Sequence, residues 1–274
     1  MTLPTLRESL EAHGLMAKKA FGQHFLLDLN ITRKIVRLGG PFDGETVIEV
    51  GPGPGGLTRA LLETEARKVI AIEKDSRFLD LLNELQGPYS QRFEVVEGDA
   101  LKADEAQLLA DRNLPPEAHI VSNLPYNVGT PLLIKWLTGP WQPKSLTLMF
   151  QLEVALRIVA PVGDDDYGRL SVISQVLCDC QRIMDLPARA FTPPPRVDSA
   201  VVKLVPKADR PPPALVKALE RITAAAFGQR RKMLRASLKS QGGEALLAKA
   251  GIDPTLRAEQ VAPVDFLRLA MLQA

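Results

Sequence analysis

The sequence predicts an α/β protein: a mostly parallel sheet covered by helices, followed by a small all-α segment at the C-terminus. Three observations carry that reading. Short apolar runs alternate with helical patterns through the first two thirds of the 274 residues. A late pair of strand-like runs brackets a proline-rich turn, and past "PKADRPPP" (206–213) only helical patterns remain. Strand and helix alternating at this spacing favour parallel strands joined by crossover helices on both faces.

In order, "TVIEV" (46–50), "VIAIE" (69–73), "FEVVE" (93–97), "AHIVS" (118–122) and "SLTLMF" (145–150) read as strands. Between the first four lie the helical patterns "LTRALLETEA" (57–66), "SRFLDLLNEL" (76–85), with Ser76 as its expected N-cap, and "ADEAQLLADR" (103–112). "CQRIMDLP" (180–187) and "SAVVKLVP" (199–206) flank "FTPPPRVD" (191–198) and are expected to pair antiparallel, bringing the sheet to seven strands. The prolines at 211–213 exclude helix, so 206–213 reads as a linker. Domains are therefore expected at 1–207 and 208–274.

Composition narrows the function classes. Hydrophobic content of 46% and charged content of 24% are those of an ordinary globular protein. No apolar run approaches the roughly 18 residues of a membrane span. The charged start "MTLPTLRESLEAHG" lacks a signal peptide's apolar core, so a cytoplasmic protein with no membrane partner is expected. Cys178 and Cys180 are too close for an ordinary disulfide and too few for a zinc site; reduced thiols and no metal are expected. The formal net charge is only +2, yet residues 203–240 hold ten Lys or Arg against Asp209 and Glu220. Such a concentration suits a polyanionic partner.

"VIEVGPGPGGLT" (47–58) reads as a strand, a glycine turn and a helix start. Gly51, Gly53 and Gly56 satisfy the dinucleotide spacing G-x-G-x-x-G, with Glu73 at the distance of a ribose ligand. Two features argue against a pyrophosphate. Pro52 and Pro54 have no N–H to offer a phosphate, and carboxylates surround the loop: Glu49 just before it, Glu73 after the second strand and Asp99 after the third. Acids suit a phosphate-free adenosine ligand with a positive centre, such as S-adenosylmethionine. Glu73 can take both ribose hydroxyls and Asp99 the adenine amine; alternatively, Asp99 is a helix N-cap.

"SNLPYNVGTP" (122–131) follows the fourth strand, on the rim where open α/β sheets bind ligands. An aromatic amine such as adenine N6 is a poor nucleophile because its lone pair is delocalised. Two acceptors gripping its hydrogens, the Asn123 side-chain oxygen and the Leu124 carbonyl made rigid by Pro125, would pull the nitrogen toward tetrahedral geometry. Tyr126 offers a face for an extruded base, worth roughly 1–3 kcal/mol.

At these residues the chain resembles the ribosomal RNA adenine dimethyltransferases, a bacterial family that dimethylates two neighbouring adenosines near the 3′ end of small-subunit rRNA. The resemblance runs through "KKAFGQHFL" (18–26), "EVGPGPGGLT" (49–58), "IEKD" (72–75), "EGDAL" (97–101), "NLPYN" (123–127), "QLEVALRI" (151–158), "YGRLSV" (167–172), "FTPPPRVDSAVVKL" (191–204) and "FGQRRKMLRASL" (227–238). It implies a class I methyltransferase (Rossmann-like) fold and S-adenosylmethionine as cofactor. The implied cofactor contacts are His24, Leu26, Gly51, Glu73, Asp99 and Asn123, with Phe191 a second stacking wall for the base. The family's usual "GQNFL" is here "GQHFL", which places an imidazole where an asparagine is usual.

"FGQRRKMLRASLKS" (227–240) sets Arg231, Arg235 and Lys239 at i, i+4 and i+8, an expected cationic ridge along one helix face for rRNA phosphates. The expected product is N6,N6-dimethyladenosine on two adjacent adenosines of 16S rRNA, made by a monomer. Three rivals stand beside it: a large-subunit rRNA methylase, a non-catalytic RNA-binding factor on the same fold, and a nicotinamide oxidoreductase.

Overall fold

A computed structural model describes residues 4–15 and 24–273. The chain forms α1 (Leu6–Ala12), α2 (Leu29–Gly39), β1 (Thr46–Val50), α3 (Gly56–Leu62), β2 (Lys68–Glu73), α4 (Leu79–Gln86), β3 (Phe93–Glu97) and α5 (Glu105–Ala110). It continues through β4 (His119–Asn123), α6 (Gly129–Thr138), β5 (Ser145–Gln151), α7 (Leu152–Val159), α8 (Arg169–Leu177), β6 (Cys178–Leu186) and β7 (Ser199–Pro206). Helices α9 (Pro213–Phe227), α10 (Leu234–Ser237), α11 (Gly243–Ala250) and α12 (Pro263–Met271) complete it.

The strands form one seven-stranded sheet in the order β3-β2-β1-β4-β5-β7-β6, mostly parallel with a late antiparallel pair. β1 pairs parallel with β2 on one side and β4 on the other. Strand order therefore reverses between β1 and β4, the switch point at which such sheets open a crevice. Burial follows the order. Every residue of β1 is buried, whereas β3, at one edge, is mostly half-exposed. That is why "TVIEV" is mostly apolar and β-branched, with Glu49 its one charge.

Local chemistry sets the helix ends. The Thr5 hydroxyl accepts from Glu8 N and the Glu8 carboxylate from Thr5 N, a reciprocal cap on α1. Thr64 Oγ1 donates to the Leu61 carbonyl at 2.6 Å, and α3 stops at Leu62 although the helical pattern runs to 66. The expected cap at Ser76 is corrected: Asp75 accepts from Arg77 N and starts a 3₁₀ turn (Ser76–Phe78) that leads into α4. An acceptor one residue earlier suits the tighter turn.

The chain divides into two compact units. One comprises residues up to Leu133, Pro143–Leu152 and Arg182–Lys203; the other comprises Ile134–Gln142, Glu153–Gln181 and Leu204–Ala274. The second unit includes α8, which precedes residue 208 in the chain and packs on α9 and α12. Its core is aromatic: fully buried Tyr167 donates to the Val261 carbonyl at 2.8 Å and meets Phe227 edge-on, and Phe227 meets Phe266. The proline-rich stretch expected as a linker is tied down. Lys207 Nζ donates to the Gln175 carbonyl at 2.6 Å, and Arg210 donates to that of Leu137.

Residues 227–240 do not form the expected single helix. α9 ends at Phe227; Met233 is extended and bridges Arg257; α10 is four residues long; and Lys239 opens a 3₁₀ turn. Non-local bonds override the helical pattern: Leu234 N donates to the Leu256 carbonyl and Arg235 N to that of Pro254. Arg231, Arg235 and Lys239 thus lie on a turn, a short helix and a second turn rather than along one helical ridge.

Candidate active site at the strand ends

A cavity of about 790 Å³ opens at the carboxyl ends of β1, β2 and β4. Its lining includes His24, Phe25, Leu26, Glu49, Gly51, Glu73, Lys74, Asn123, Leu124, Pro125 and Tyr126. Its size suits a drug-sized or nucleoside-sized ligand.

The glycine loop shapes one wall. Gly51 has φ of +65°, and Gly56 lets the Leu26 carbonyl approach to 2.5 Å of where a Cβ would stand. The loop's amides are committed internally: Gly51 N donates to the Ile72 carbonyl, Gly55 N to that of Pro52, and Gly53 N to Glu73 Oε2 at 3.0 Å. With Pro52 and Pro54 donating nothing, residues 51–55 leave no amide to a phosphate. This geometry supports the inference drawn from the prolines alone.

The three acids differ in setting. Glu73, buried, accepts from Gly53 N and, at 2.7 Å, from Asp75 N; burial pushes its carboxyl up and these backbone bonds oppose the shift. Glu49 is fully buried and accepts from Thr58 Oγ1 at 2.6 Å. Burial pushes it up to about 8, with neighbouring Glu73 adding to the shift, so near neutrality it holds a proton that a cationic ligand would displace. Asp99 lies outside the cavity lining. It accepts from Lys74 Nζ at 2.9 Å and from Leu101 N at 3.0 Å, and the lysine holds its carboxyl below the usual range. The N-cap alternative for Asp99 is corrected: Asp104 caps α5 by accepting from Gln107 N, and Asp99 instead closes a turn through Leu101 N.

The second wall is the "NLPYN" loop. Ser122 Oγ donates to the Val50 carbonyl, joining the ends of β4 and β1 across the switch point. Asn123 ends β4, and the Pro125 carbonyl accepts from Val128 and Gly129 N at 3.1 Å, turning the chain into α6. The Pro125 ring lies 3.6 Å from where a Cβ on Gly51 would be, and the two loops line the same cavity. Leu124 is buried, while Tyr126 is half-buried. The Tyr126 hydroxyl is 3.0 Å from Ser199 Oγ.

His24 lies on this wall. Its Nδ1 is 2.8 Å from the Pro193 carbonyl and carries the proton of that bond; its ring stacks near Tyr126, centroids 5.8 Å apart at 29°. Phe25 and Thr192 exchange backbone bonds of 3.0 and 2.9 Å, so residues 24–25 and 192–193 form one strap. Phe191 is only 3% exposed, packs in the apolar core and is absent from the cavity lining. Residues 18–23 of the "KKAFGQHFL" motif lie outside those described.

The structure thus gathers His24, Leu26, Gly51, Glu73, Asn123, Leu124, Pro125 and Tyr126 at one cavity, with Asp99 and Phe191 outside its lining. Sequence reasoning noted Glu49 as an acid without giving it a contact, and it missed Lys74 and Ser199. Only Glu49, the one charge in a buried strand, carried a readable signal. Among the described residues no cluster of three His, Cys, Asp or Glu is placed to hold a metal, and no helix is long and apolar enough to cross a membrane.

Arg231, Arg235 and Lys239 are exposed in the other unit. Arg235 is 3.6 Å from Glu244, a surface pair of little energetic weight.

Comparison with known proteins gives concordant matches. The family profile described as "Ribosomal RNA adenine dimethylase" matches residues 14–274. The chain is 68% identical to ribosomal RNA small subunit methyltransferase A of Phenylobacterium zucineum, over 98% of this chain and 92% of that one. It is 66% identical to the protein of the same name from Caulobacter vibrioides, over 93% and 96%. Among solved structures it is similar to a dimethyladenosine transferase from Plasmodium falciparum (TM-score 0.73, 27% identity, 90% of this chain and 96% of that one). It is also similar to the 23S rRNA methyltransferase ErmE (TM-score 0.70, 28% identity, 90% and 98%).

Proposed function

The chain belongs to the ribosomal RNA adenine dimethylase family, and from that premise we propose that it methylates the N6 amines of two adjacent adenosines near the 3′ end of 16S rRNA. S-adenosylmethionine supplies the methyl group, carried on a sulfonium and therefore open to attack by a nitrogen lone pair. The cavity suits it: buried carboxylates face a positive centre, and the loop offers no donors to a phosphate.

In this reading Glu73 takes the ribose hydroxyls while it holds the Gly53 amide. Glu49, His24, Leu26, Gly51 and Asn123 complete the cofactor contacts. The Asn123 side-chain oxygen and the Leu124 carbonyl accept the hydrogens of the target amine and aim its lone pair. Tyr126 stacks the extruded base, offsetting the few kcal/mol that extrusion costs. No general base is needed, because the methylated amine turns acidic and releases its proton to water. A monomethylated amine keeps one N–H, so a second transfer can follow rotation about the C–N bond.

The observation that carries this reading is the shared lining of one cavity by Asn123, Leu124, Pro125 and Tyr126 together with Glu49 and Glu73. The reading assigns transfer to 1–207 and rRNA docking to 208–274, through Arg231, Arg235 and Lys239, in a monomer acting in the cytoplasm on the small subunit or its precursor. Incubation with undermodified small subunits, followed by mass spectrometry of the digested rRNA, tests it. N6,N6-dimethyladenosine at two adjacent positions is expected; monomethyladenosine alone, or labelling only of large subunits, would overturn it.

A further inference from the structure

Tyr126 is the ring proposed to carry the flipped base, yet its loop is short and reaches out from the end of β4. What holds the ring at a fixed angle is therefore decisive. Its hydroxyl lies 3.0 Å from Ser199 Oγ, and Ser199 is fully buried at the first position of β7. The residue before it is equally engaged: the Asp198 carbonyl accepts from Leu152 N at 2.9 Å, and its side chain accepts from Ala188 N at 2.8 Å. Ala188 opens the 3₁₀ turn (Ala188–Ala190) that delivers Phe191. One dipeptide at the start of β7 thus fastens the end of β5, the approach to Phe191 and the outer edge of Tyr126.

We infer that Ser199 is a positioning residue for methyl transfer: its hydroxyl fixes the tilt of the Tyr126 ring and so the plane in which the target base presents its amine. A ring anchored at its backbone alone can swing about its side-chain torsions. Anchored also at the hydroxyl, it presents one face, bordered by the His24 imidazole. A tilt of the base moves N6 relative to Asn123 and Leu124, and a small misplacement of a reacting atom slows transfer far more than it weakens binding. The inference rests on the base-stacking role proposed for Tyr126 and adds a residue that does not line the cavity.

The test is a double-mutant cycle on Tyr126→Phe and Ser199→Ala, with methyl transfer to undermodified small subunits read under single-turnover conditions and cofactor affinity read by calorimetry. Tyr126→Phe keeps the ring and removes only the hydroxyl. Each single variant should slow transfer about 3- to 10-fold, the range of one hydrogen bond. The double variant should be no slower than either single, and cofactor affinity should stay unchanged in all three. Wild-type rates in Tyr126→Phe, or losses that multiply in the double variant, would overturn the inference; should Ser199→Ala fail to fold, Tyr126→Phe alone decides it by the same rate. Failure of the wild-type protein to methylate small subunits would instead strike the functional reading on which it rests.

Discussion

The strand-end cavity and the basic segment 228–241 use their polar groups in opposite ways. Around the cavity, the amides of Gly51, Gly53 and Gly55 and both oxygens of Glu73 are bonded to neighbouring protein. Along the basic segment, Arg231, Lys232, Arg235 and Lys239 are exposed, and the one ion pair there is Arg235 with Glu244, among the described residues. A small ligand whose reacting atom must be placed within a fraction of an ångström needs a site held rigid beforehand. A phosphate backbone needs charge at about the right spacing and rewards it through released counterions. One region should therefore respond sharply to single substitutions, and the other only to several at once.

The largest of the binding effects is expected at Glu73. Glu73→Ala removes a ligand acceptor and frees the Gly53 and Asp75 amides, each unpaired group worth about 1–3 kcal/mol. S-adenosylmethionine affinity should fall by about 10- to 100-fold in calorimetry, whereas the more exposed Asp99→Ala should cost less. Equal losses in the two would erase the distinction between a built site and its periphery.

Glu49→Gln should act on stability rather than affinity, with a defined sign. Glu49 sits at about 8 in the folded chain against an ordinary 4.5. Between those values the folded state keeps a proton that the unfolded state has released, so the acid's cost to stability grows as pH rises and is complete above about 8. Replacing it with neutral glutamine should stabilise the cofactor-free protein by on the order of 1–3 kcal/mol at pH near 9 and scarcely at pH near 4. Thermal melts at the two values check this; a stabilisation independent of pH would contradict it. Calorimetry in buffers of different ionisation enthalpy should also show a proton released on S-adenosylmethionine binding to the wild type near neutrality.

Much of this was legible in the residues. β1, β3 and β7 begin and end where their apolar runs do, because a strand buried on both faces or bounded by turn residues declares its limits. The rim residues declared themselves too, since glycines, prolines and an isolated buried acid are costly unless used. What could not be read was set by distant partners. The 227–240 stretch has a good helical pattern, yet bonds from Leu234 and Arg235 to Leu256 and Pro254 break it. Lys74 reaching Asp99, Ser199 reaching Tyr126 and the burial of Phe191 depend on the same kind of long-range placement.

The smallest effect is expected in the basic segment. Changing Arg231, Arg235 and Lys239 together to Gln should weaken binding to the small-subunit particle and flatten its dependence on salt, by a slope of roughly 0.7–0.9 for each phosphate no longer neutralised. S-adenosylmethionine affinity should not change. Titrations at several salt concentrations check the slope; an unaltered one would remove these residues from the rRNA interface. Because the three lie on separate turns and a short helix, each single change should have only part of the effect.

The contrast is tested most directly by one quantity, the single-turnover rate of methyl transfer with particle and S-adenosylmethionine both saturating. Asn123→Ala loses an acceptor that matters most when the lone pair is aimed, so its rate should fall by about 100-fold or more even with every site filled. The triple Gln variant, once saturated, should match the wild type. A near-normal rate in Asn123→Ala, or a slow step that persists in the saturated triple variant, would contradict the division between a region that performs the transfer and a region that holds the RNA.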